Sequence, residues 1–373
     1  MGVVCQYINT EVARRRHRAI SRNLSARPLP ARVFEVPVSS VSDETHTHAL
    51  SRSLSSARAM SRESRVDAGA FYAEYHGHPI ALLEQLHARL SASSSSVIFL
   101  AGDSSMDNKH WFFEPGRTKR AQMSAPAFTA PATPNGYDRA LRPPRMVMDV
   151  AYHLNALAPE GVVGLNCAVE ESTVSDRGDG LLDHDRFIRD HVTERDYVVL
   201  SVGGNDVALK PTAATVANML MLTRAPGWLL RGGCAIGMGH FEWLFRTQIG
   251  AIVRRMVAGA RKPKLVLVCM IYYLDERPGN SWADRVLAGL GYDDDPAKLQ
   301  YIIATLYERI AAKGFDVDGV EVRPFPLFKV LDGKDTADYV QRVEPSVQGG
   351  RKIARAFLDE LFPASPEEDA SRL

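Results

Sequence analysis

From about residue 70 the chain alternates short apolar runs with segments of helical spacing, and that alternation leaves few folds open. Val97–Ala101, Val162–Leu165, Tyr197–Val202 and Lys264–Ile271 are too short for core helices and lack a polar face, so each reads as a strand buried on both sides. Ile80, Leu83, Leu86 and Leu90 fall on one helical face, and further helices are expected around Met146–Leu157, Phe241–Ala258, Leu299–Ala312 and Arg351–Leu361. Strands alternating with helices predict an α/β fold whose parallel sheet is covered on both faces. In such sheets the functional groups lie beyond the carboxyl ends of the strands.

Composition sets the outer bounds. A chain of 373 residues, 45% of them hydrophobic, can bury a substantial core. Its formal charge of +1 argues against a protein built mainly to hold nucleic acid. No apolar stretch approaches the length of a membrane-spanning helix. Cys5, Cys167, Cys234 and Cys269 lie far apart without a C-x-x-C pair, which suggests neither a zinc site nor a disulfide framework and fits a reducing, intracellular compartment. No Walker loop, dinucleotide fingerprint or HExxH is present, so neither cofactor nor metal is expected.

The organisation is uneven. Residues 1–66 are rich in Arg and Ser, contain no Lys and show no sustained period, so they are expected to be disordered. RRRHRAISRNLSARP resembles an organelle-targeting peptide, whereas Gly2 and Cys5 stand as a double lipid anchor would place them, with Gln6 where Ser or Thr is expected. Residues 67–363 form the expected domain, with a polar, proline-containing insertion over the site at about 106–145, and residues 364–373 form a tail.

Two strand ends carry the chemistry. VIFLAGDSS stops on Gly102-Asp103-Ser104-Ser105, and YVVLSVGGNDVAL stops on Gly203-Gly204-Asn205-Asp206. Each stretch alone is an ordinary polar turn. In this order, each ending a strand and about a hundred residues apart, they resemble the motifs of the SGNH (GDSL-type) hydrolase superfamily over roughly residues 95–362. The resemblance implies a flavodoxin-like three-layer sandwich and a serine esterase, lipase or acylhydrolase.

It also implies roles. Ser104 would be the nucleophile, with its own backbone N–H and the Asn205 side chain as oxyanion donors. Gly204 would let the backbone approach the substrate, while Asp103 and Asp206 would brace the loops.

Two blocks depart from the family pattern. In NCAVEEST, residues 166–173, Asn166 and Thr173 fit, but Glu171 stands at a glycine whose N–H would be the third donor. In QRVEPSVQGG, residues 341–350, Glu344 stands at the family's histidine and Gln341 at its aspartate. With Glu344 as base the aspartate partner becomes unnecessary, provided desolvation raises its pKa above the ordinary 4.3 or so. His110 and His240 are alternative bases, and His184 reads as a surface residue at a helix start.

Other features read as structural. Arg177-Gly178-Asp179 is a tripeptide of chance frequency, and Asp293-Asp294-Asp295 before Pro296 reads as a helix N-terminus. Trp111-Phe112-Phe113 either lines a pocket or anchors the insertion. The leading expectation is a metal-independent serine esterase acting on a small-molecule ester through an acyl-enzyme on Ser104. The rivals are a catalytically silent member holding an acylated or glycan ligand, and an acyltransferase on the same scaffold.

Overall fold

The computed structural model describes residues 65–112, 129–178, 180–279 and 281–363. The chain divides into two units, residues 1–64 and 65–373, and every described residue belongs to the second. The Arg/Ser-rich segment with Gly2 and Cys5, Phe113, the middle of the 106–145 insertion, Asp179 and the C-terminal tail from residue 364 lie outside the described residues.

Five strands build the central sheet: β1 Ser96–Gly102, β2 Val162–Asn166, β3 Tyr197–Ser201, β4 Leu265–Met270 and β5 Glu321–Pro326. All neighbouring pairs are parallel and the spatial order is β2-β1-β3-β4-β5. This is the doubly wound, flavodoxin-like order, and its direction of winding reverses between β1 and β3. The expected α/β class with a helix-flanked parallel sheet is therefore what the chain adopts.

The helices used below are α1 Ile80–Leu90, α2 Val150–Leu157, α3 Asp183–His191, α4 Ala213–Arg224, α5 Ile249–Met256, α6 Pro296–Lys313 and α7 Val347–Leu361. Successive side chains of a strand point to opposite faces, so β1 feeds two cores at once. Ile98 and Leu100 join Leu154 of α2 and Ile353 and Phe357 of α7. Val97, Phe99 and Ala101 join Leu83 of α1, Phe187 of α3 and Val253 of α5. At roughly 25 cal/mol per Å² of apolar area, these two layers are the main source of stability.

Several boundaries differ from the sequence reading. Met146 and Val147 do not start a helix; they lie in a short strand, Arg145–Val147, paired antiparallel with Thr129–Pro131. The helix begins at Val150, where the Asp149 side chain caps it by accepting from Tyr152 N–H at 2.8 Å. Pro296 occupies the first turn of α6, but Asp295 makes no side-chain cap, and Asp293 instead accepts from Arg342 at 3.0 Å. His184 is no free surface residue: its Nε2 lies 2.8 Å from the His78 carbonyl, holding the loop before α1. Arg177 is wholly buried against Asp185, with Nε to Oδ2 at 2.8 Å, and also reaches the Gly102 carbonyl.

Candidate active site

The register that pairs Gly102 with Ser201 sets the site. Gly102 has φ +126°, and a Cβ there would sit 1.7 Å from the Ser201 carbonyl oxygen, so only glycine lets the two strand ends meet. One residue further on, Asp103 N–H donates to that same carbonyl at 2.9 Å. Asp103 Oδ1 accepts from the Ser105 N–H at 3.0 Å and from its hydroxyl at 2.7 Å, and the Ser105 oxygen also meets Ser201 Oγ at 2.7 Å. Ser104 stands in the middle of this braced turn, 7% exposed.

On the neighbouring strand, Gly203 takes φ +117° and starts the short helix Gly204–Ala208, which places Asn205 in its first turn. Asn205 Nδ2 donates one hydrogen to the Ser172 carbonyl at 3.0 Å, which orients the amide. An amide nitrogen carries two hydrogens, so the second remains for another acceptor. Asp206 turns away from the cleft and accepts from Val174 N–H at 2.7 Å and Ser175 N–H at 3.2 Å.

The third contribution comes from the chain just before α7. Tyr339–Val340 and Glu344–Pro345 form a tight antiparallel pair, and the turn between them holds Gln341 at φ 55° and Arg342 at φ 67°. Left-handed backbone at non-glycine residues costs about 1–3 kcal/mol each and needs surroundings that enforce it. Here buried Arg342 supplies that constraint through Asp284 at 2.9 Å, Asp293 at 3.0 Å and the Asp275 carbonyl at 3.2 Å. Asn108 Nδ2 donates to the Pro345 carbonyl at 2.7 Å, and Tyr272 O–H to the Val343 carbonyl at 2.6 Å. Glu344 is thus held from both sides, and Ser104 Oγ donates to its Oε1 at 3.2 Å. Gln341 turns away, its side-chain oxygen accepting from Trp282 N–H at 3.3 Å.

The surroundings of Glu344 are acidic. Burial, with the negative charges of Asp103, Glu171 and Asp107, pushes its pKa up to about 8, against the opposing pull of the Ser104 hydrogen bond. Its Oε2 is buried without a hydrogen-bond partner among the described residues, as is Oε2 of Glu170. Burial first, then the charge of Glu344, pushes Glu170 well above the usual carboxylate range. Asp103 is raised to about 6, chiefly by burial. Asp107 and Lys109 form a fully buried ion pair at 2.5 Å, and the other Asp107 oxygen accepts from Gly77 N–H at 2.8 Å and Glu170 N–H at 3.0 Å.

Glu171, where the sequence resemblance would put a glycine, has φ 60°, the backbone conformation a glycine would favour. Its carboxylate accepts from Tyr75 O–H at 2.9 Å. Tyr75, Glu170, Asp107 and Lys109 were not singled out from the sequence. Only the contacts between separate loops reveal them, although the adjacent pair Glu170-Glu171 within a block that otherwise fits the family was a usable signal.

Ser104, Gly204, Asn205 and Glu344 all line one cavity. Neither candidate histidine is among the residues that line this cavity. The His110 ring packs edge-on against Tyr75, with centroids 4.5 Å apart, and against Trp111. His240 Nε2 lies 3.1 Å from Thr215 Oγ1, and its ring packs against Phe241 and Trp243. Among the described residues no group of three His, Cys, Asp or Glu side chains is arranged to hold a metal ion, and no helix is long and apolar enough to cross a membrane.

No protein-family model matches this chain, and no curated protein matches it. Solved structures do. The acetylxylan esterase Axe2 from Geobacillus stearothermophilus is 19% identical over 73% of this chain and 96% of its own, with a TM-score of 0.32. Phospholipase A1 from Streptomyces albidoflavus is 12% identical over 71% of this chain and 98% of its own, with a TM-score of 0.34. A family 3 carbohydrate esterase from Clostridium thermocellum is 12% identical over 71% and 94%, with a TM-score of 0.29. At these values the likeness decides nothing about chemistry, which rests on the geometry above.

Proposed function

We propose that this chain is a carboxylic ester hydrolase of the SGNH type, with Ser104 as nucleophile and Glu344 as its base. The observation that carries the reading is the 3.2 Å hydrogen bond from Ser104 Oγ to a buried carboxylate, at the point of the sheet where α/β folds bind ligands. A carboxylate with an ordinary pKa is a poor base for a hydroxyl; one raised to about 8 is a usable one.

The steps balance without a cofactor. Ionised Glu344 takes the Ser104 proton as Oγ bonds to the ester carbonyl carbon, and negative charge builds on the carbonyl oxygen. The Ser104 N–H and the second Asn205 N–H are the donors for that oxygen. Glu344 then returns the proton to the departing alkoxide, the carbon–oxygen bond breaks, and the alcohol leaves an acyl group on Ser104. Water attacks that acyl group, its proton passing to Glu344 and on to Ser104 Oγ as the acid is released. Gln341 has no part in this cycle, because a carboxylate has no tautomer to be held.

One observation favours a second reading. With a pKa of about 8, Glu344 is mostly protonated at neutral pH, as suits a silent ligand-binding member of the same fold. Fluorophosphonate labelling separates the two. A hydrolase labels, labels faster as pH rises from 6 to 9, and loses the label in Ser104→Ala; absence of label on the folded wild-type chain across that range refutes the enzyme. If water is replaced by an added alcohol as the better acceptor, the same acyl-enzyme serves a transferase, seen as ester product.

A further inference from the structure

The loops at 107–109, 170–171 and 343–345 are stitched together by hydrogen bonds. Asp107 Oδ2 accepts from the Glu170 N–H at 3.0 Å, and the next residue, Asn108, donates from Nδ2 to the Pro345 carbonyl at 2.7 Å. Glu170 and Glu344 are thus tied to the same two residues through their own or the adjoining main chain, and both side chains are buried. Each carries one oxygen, Oε2, that is buried without a hydrogen-bond partner among the described residues, and Asn108 Oδ1 is a third such atom. Buried acceptors left in this state are costly. An amide oxygen brings no hydrogen of its own. A carboxyl does once it is protonated, and a single hydrogen between the two Oε2 atoms gives both a partner.

We propose that Glu170 is a positioning residue for Glu344: it keeps a proton and donates it as a hydrogen bond to Glu344 Oε2, leaving Oε1 turned to Ser104. The proposal rests on the reading of Glu344 as base. A neutral acid here does for a carboxylate what an ionised acid does for an imidazole, fixing the base from its far atom.

The surroundings decide which carboxyl keeps the hydrogen. Glu344 Oε1 accepts from Ser104 Oγ, a bond that favours its ionised form. Glu170 Oε2 has no such donor, and Glu344 is the charge that bears on Glu170 most. Two carboxyls sharing a site do not both ionise readily, so the less supported one stays neutral. The other groups facing the pair are Tyr75, Asp103, Asp107, Lys109, Glu171 and Tyr272. Lys109, the cation among them, is already paired with Asp107 at 2.5 Å. His76 meets the Glu170 main chain, with Nδ1 2.9 Å from the carbonyl oxygen. Before reaction the pair carries one negative charge, on Glu344. When Oε1 takes the Ser104 proton the pair becomes neutral and the charge passes to the carbonyl oxygen of the ester, while the Glu170 hydrogen stays where it is.

The test has a spectroscopic arm and a kinetic arm, both on the full chain. At pH 9 Glu344, Asp149 and Asp103, raised to about 8, about 7 and about 6, are mostly ionised. Infrared spectra should still show a protonated carboxyl, whose absorption vanishes in Glu170→Gln and changes in Glu344→Gln, where the charged acceptor is replaced. The kinetic arm follows kcat for p-nitrophenyl acetate against pH. In Glu170→Gln the amide keeps a hydrogen for Oε2, so activity should be retained and the limb near pH 8 should keep its place. In Glu170→Ala that hydrogen is gone. There kcat should fall about 10- to 10²-fold, the worth of one hydrogen bond to a charged group, with KM little changed. The limb should also move to higher pH, because ionised Glu344 has lost a donor. Circular dichroism checks that each variant is folded.

An ionised Glu170 predicts the opposite sign: both variants then remove a negative charge and both limbs move to lower pH. That result, or a wild type without a protonated carboxyl at pH 9, would overturn the pair and leave the hydrolase standing. A limb unmoved in both folded variants would reduce Glu170 to a structural residue and overturn the proposal as well. An infrared signal that responds to both glutamine substitutions, in a chain that hydrolyses no ester, would uphold the shared hydrogen and remove the hydrolase.

Discussion

The two walls of the cleft are equally buried and physically opposite. One carries Asp103 and Glu344, backed by Asp107 and Glu170, all under 9% exposed, with Glu171 beside them and Lys109 as the cation paired within the group. The other is made of Phe245, Ile303, Leu306 and their neighbours, with almost no polar atom. Burial raises the stability of the second wall and lowers that of the first, because an ionised carboxylate away from water is costly unless it is paired. A fold that keeps such a group beside a hydroxyl retains a destabilising element, a pattern expected where stability is exchanged for reactivity. Ser104 lies on the seam between the walls.

The largest break in that contrast is Glu344→Gln. Removing the proposed base should lower kcat by about 10²- to 10⁴-fold, measured on a short-chain ester so that binding to the apolar wall contributes little. Activity unchanged by this substitution would dismiss Glu344 and turn attention to His110 and His240.

Asn205→Ala comes next, with a loss of about 10²- to 10³-fold in kcat, typical of one oxyanion donor. The pH profile should keep its shape in that variant. In the wild type, activity should rise with pH along a limb of apparent pKa about 8, because the base works only when ionised. A limb that instead falls as pH rises, or one centred near 4.5, would contradict the assignment.

The stability of the two walls should diverge with pH. Glu344 binds its proton more tightly in the folded chain than in the unfolded one, where its pKa is about 4.3. Its contribution is therefore fully present below the unfolded value and is lost as pH rises through the folded value of about 8. Subtracting wild-type from Glu344→Gln unfolding free energies between pH 5 and pH 9 reports this group together with its charge coupling to Glu170. The difference should grow in favour of the variant as pH rises. On the apolar wall, Ile303→Ala should cost about 2 kcal/mol at all pH values in this range, the low end for such a truncation because the site already borders a void.

The smallest expected effect is Glu171→Gln. Its charge is one of those that raise Glu344, so removing it should move the activity limb to lower pH by less than a unit. A shift to higher pH would mean that Glu171 acts on Glu344 by some route other than charge.

The sheet and the helices that carry Phe245 and Ile303 were largely legible in the sequence; the acidic wall was not. Strands β1 to β4 are runs of apolar residues with no competing pattern. β5, EVRPFP, was missed because its charge and two prolines argue against a strand, and it is tolerated only because it lies at the sheet edge. The helix assigned from Met146 begins late because two apolar residues do not distinguish a strand from a first turn. Ser104, Asn205 and Glu344 could be singled out because each lies in a short motif. Glu170 was passed over although it adjoins Glu171, and Tyr75 could not be found, since its approach to the site depends on loops about a hundred residues apart folding onto one another. Local pattern says nothing about such contacts.

The absence of space for a side chain at Gly102 has a consequence for how this protein can change over generations. The distance between the Ser104 and Asn205 loops is set by main chain against main chain, at the spacing of adjacent strands, and not by any exchangeable side chain. Substitutions in α4, α6 or residues 282–290 can enlarge, shorten or close the cavity without altering that distance. Diversification of what enters the cleft is thereby uncoupled from the spacing of the two loops, and a lineage built on this sheet can explore new ligands while the Ser104–Asn205 geometry is inherited unchanged.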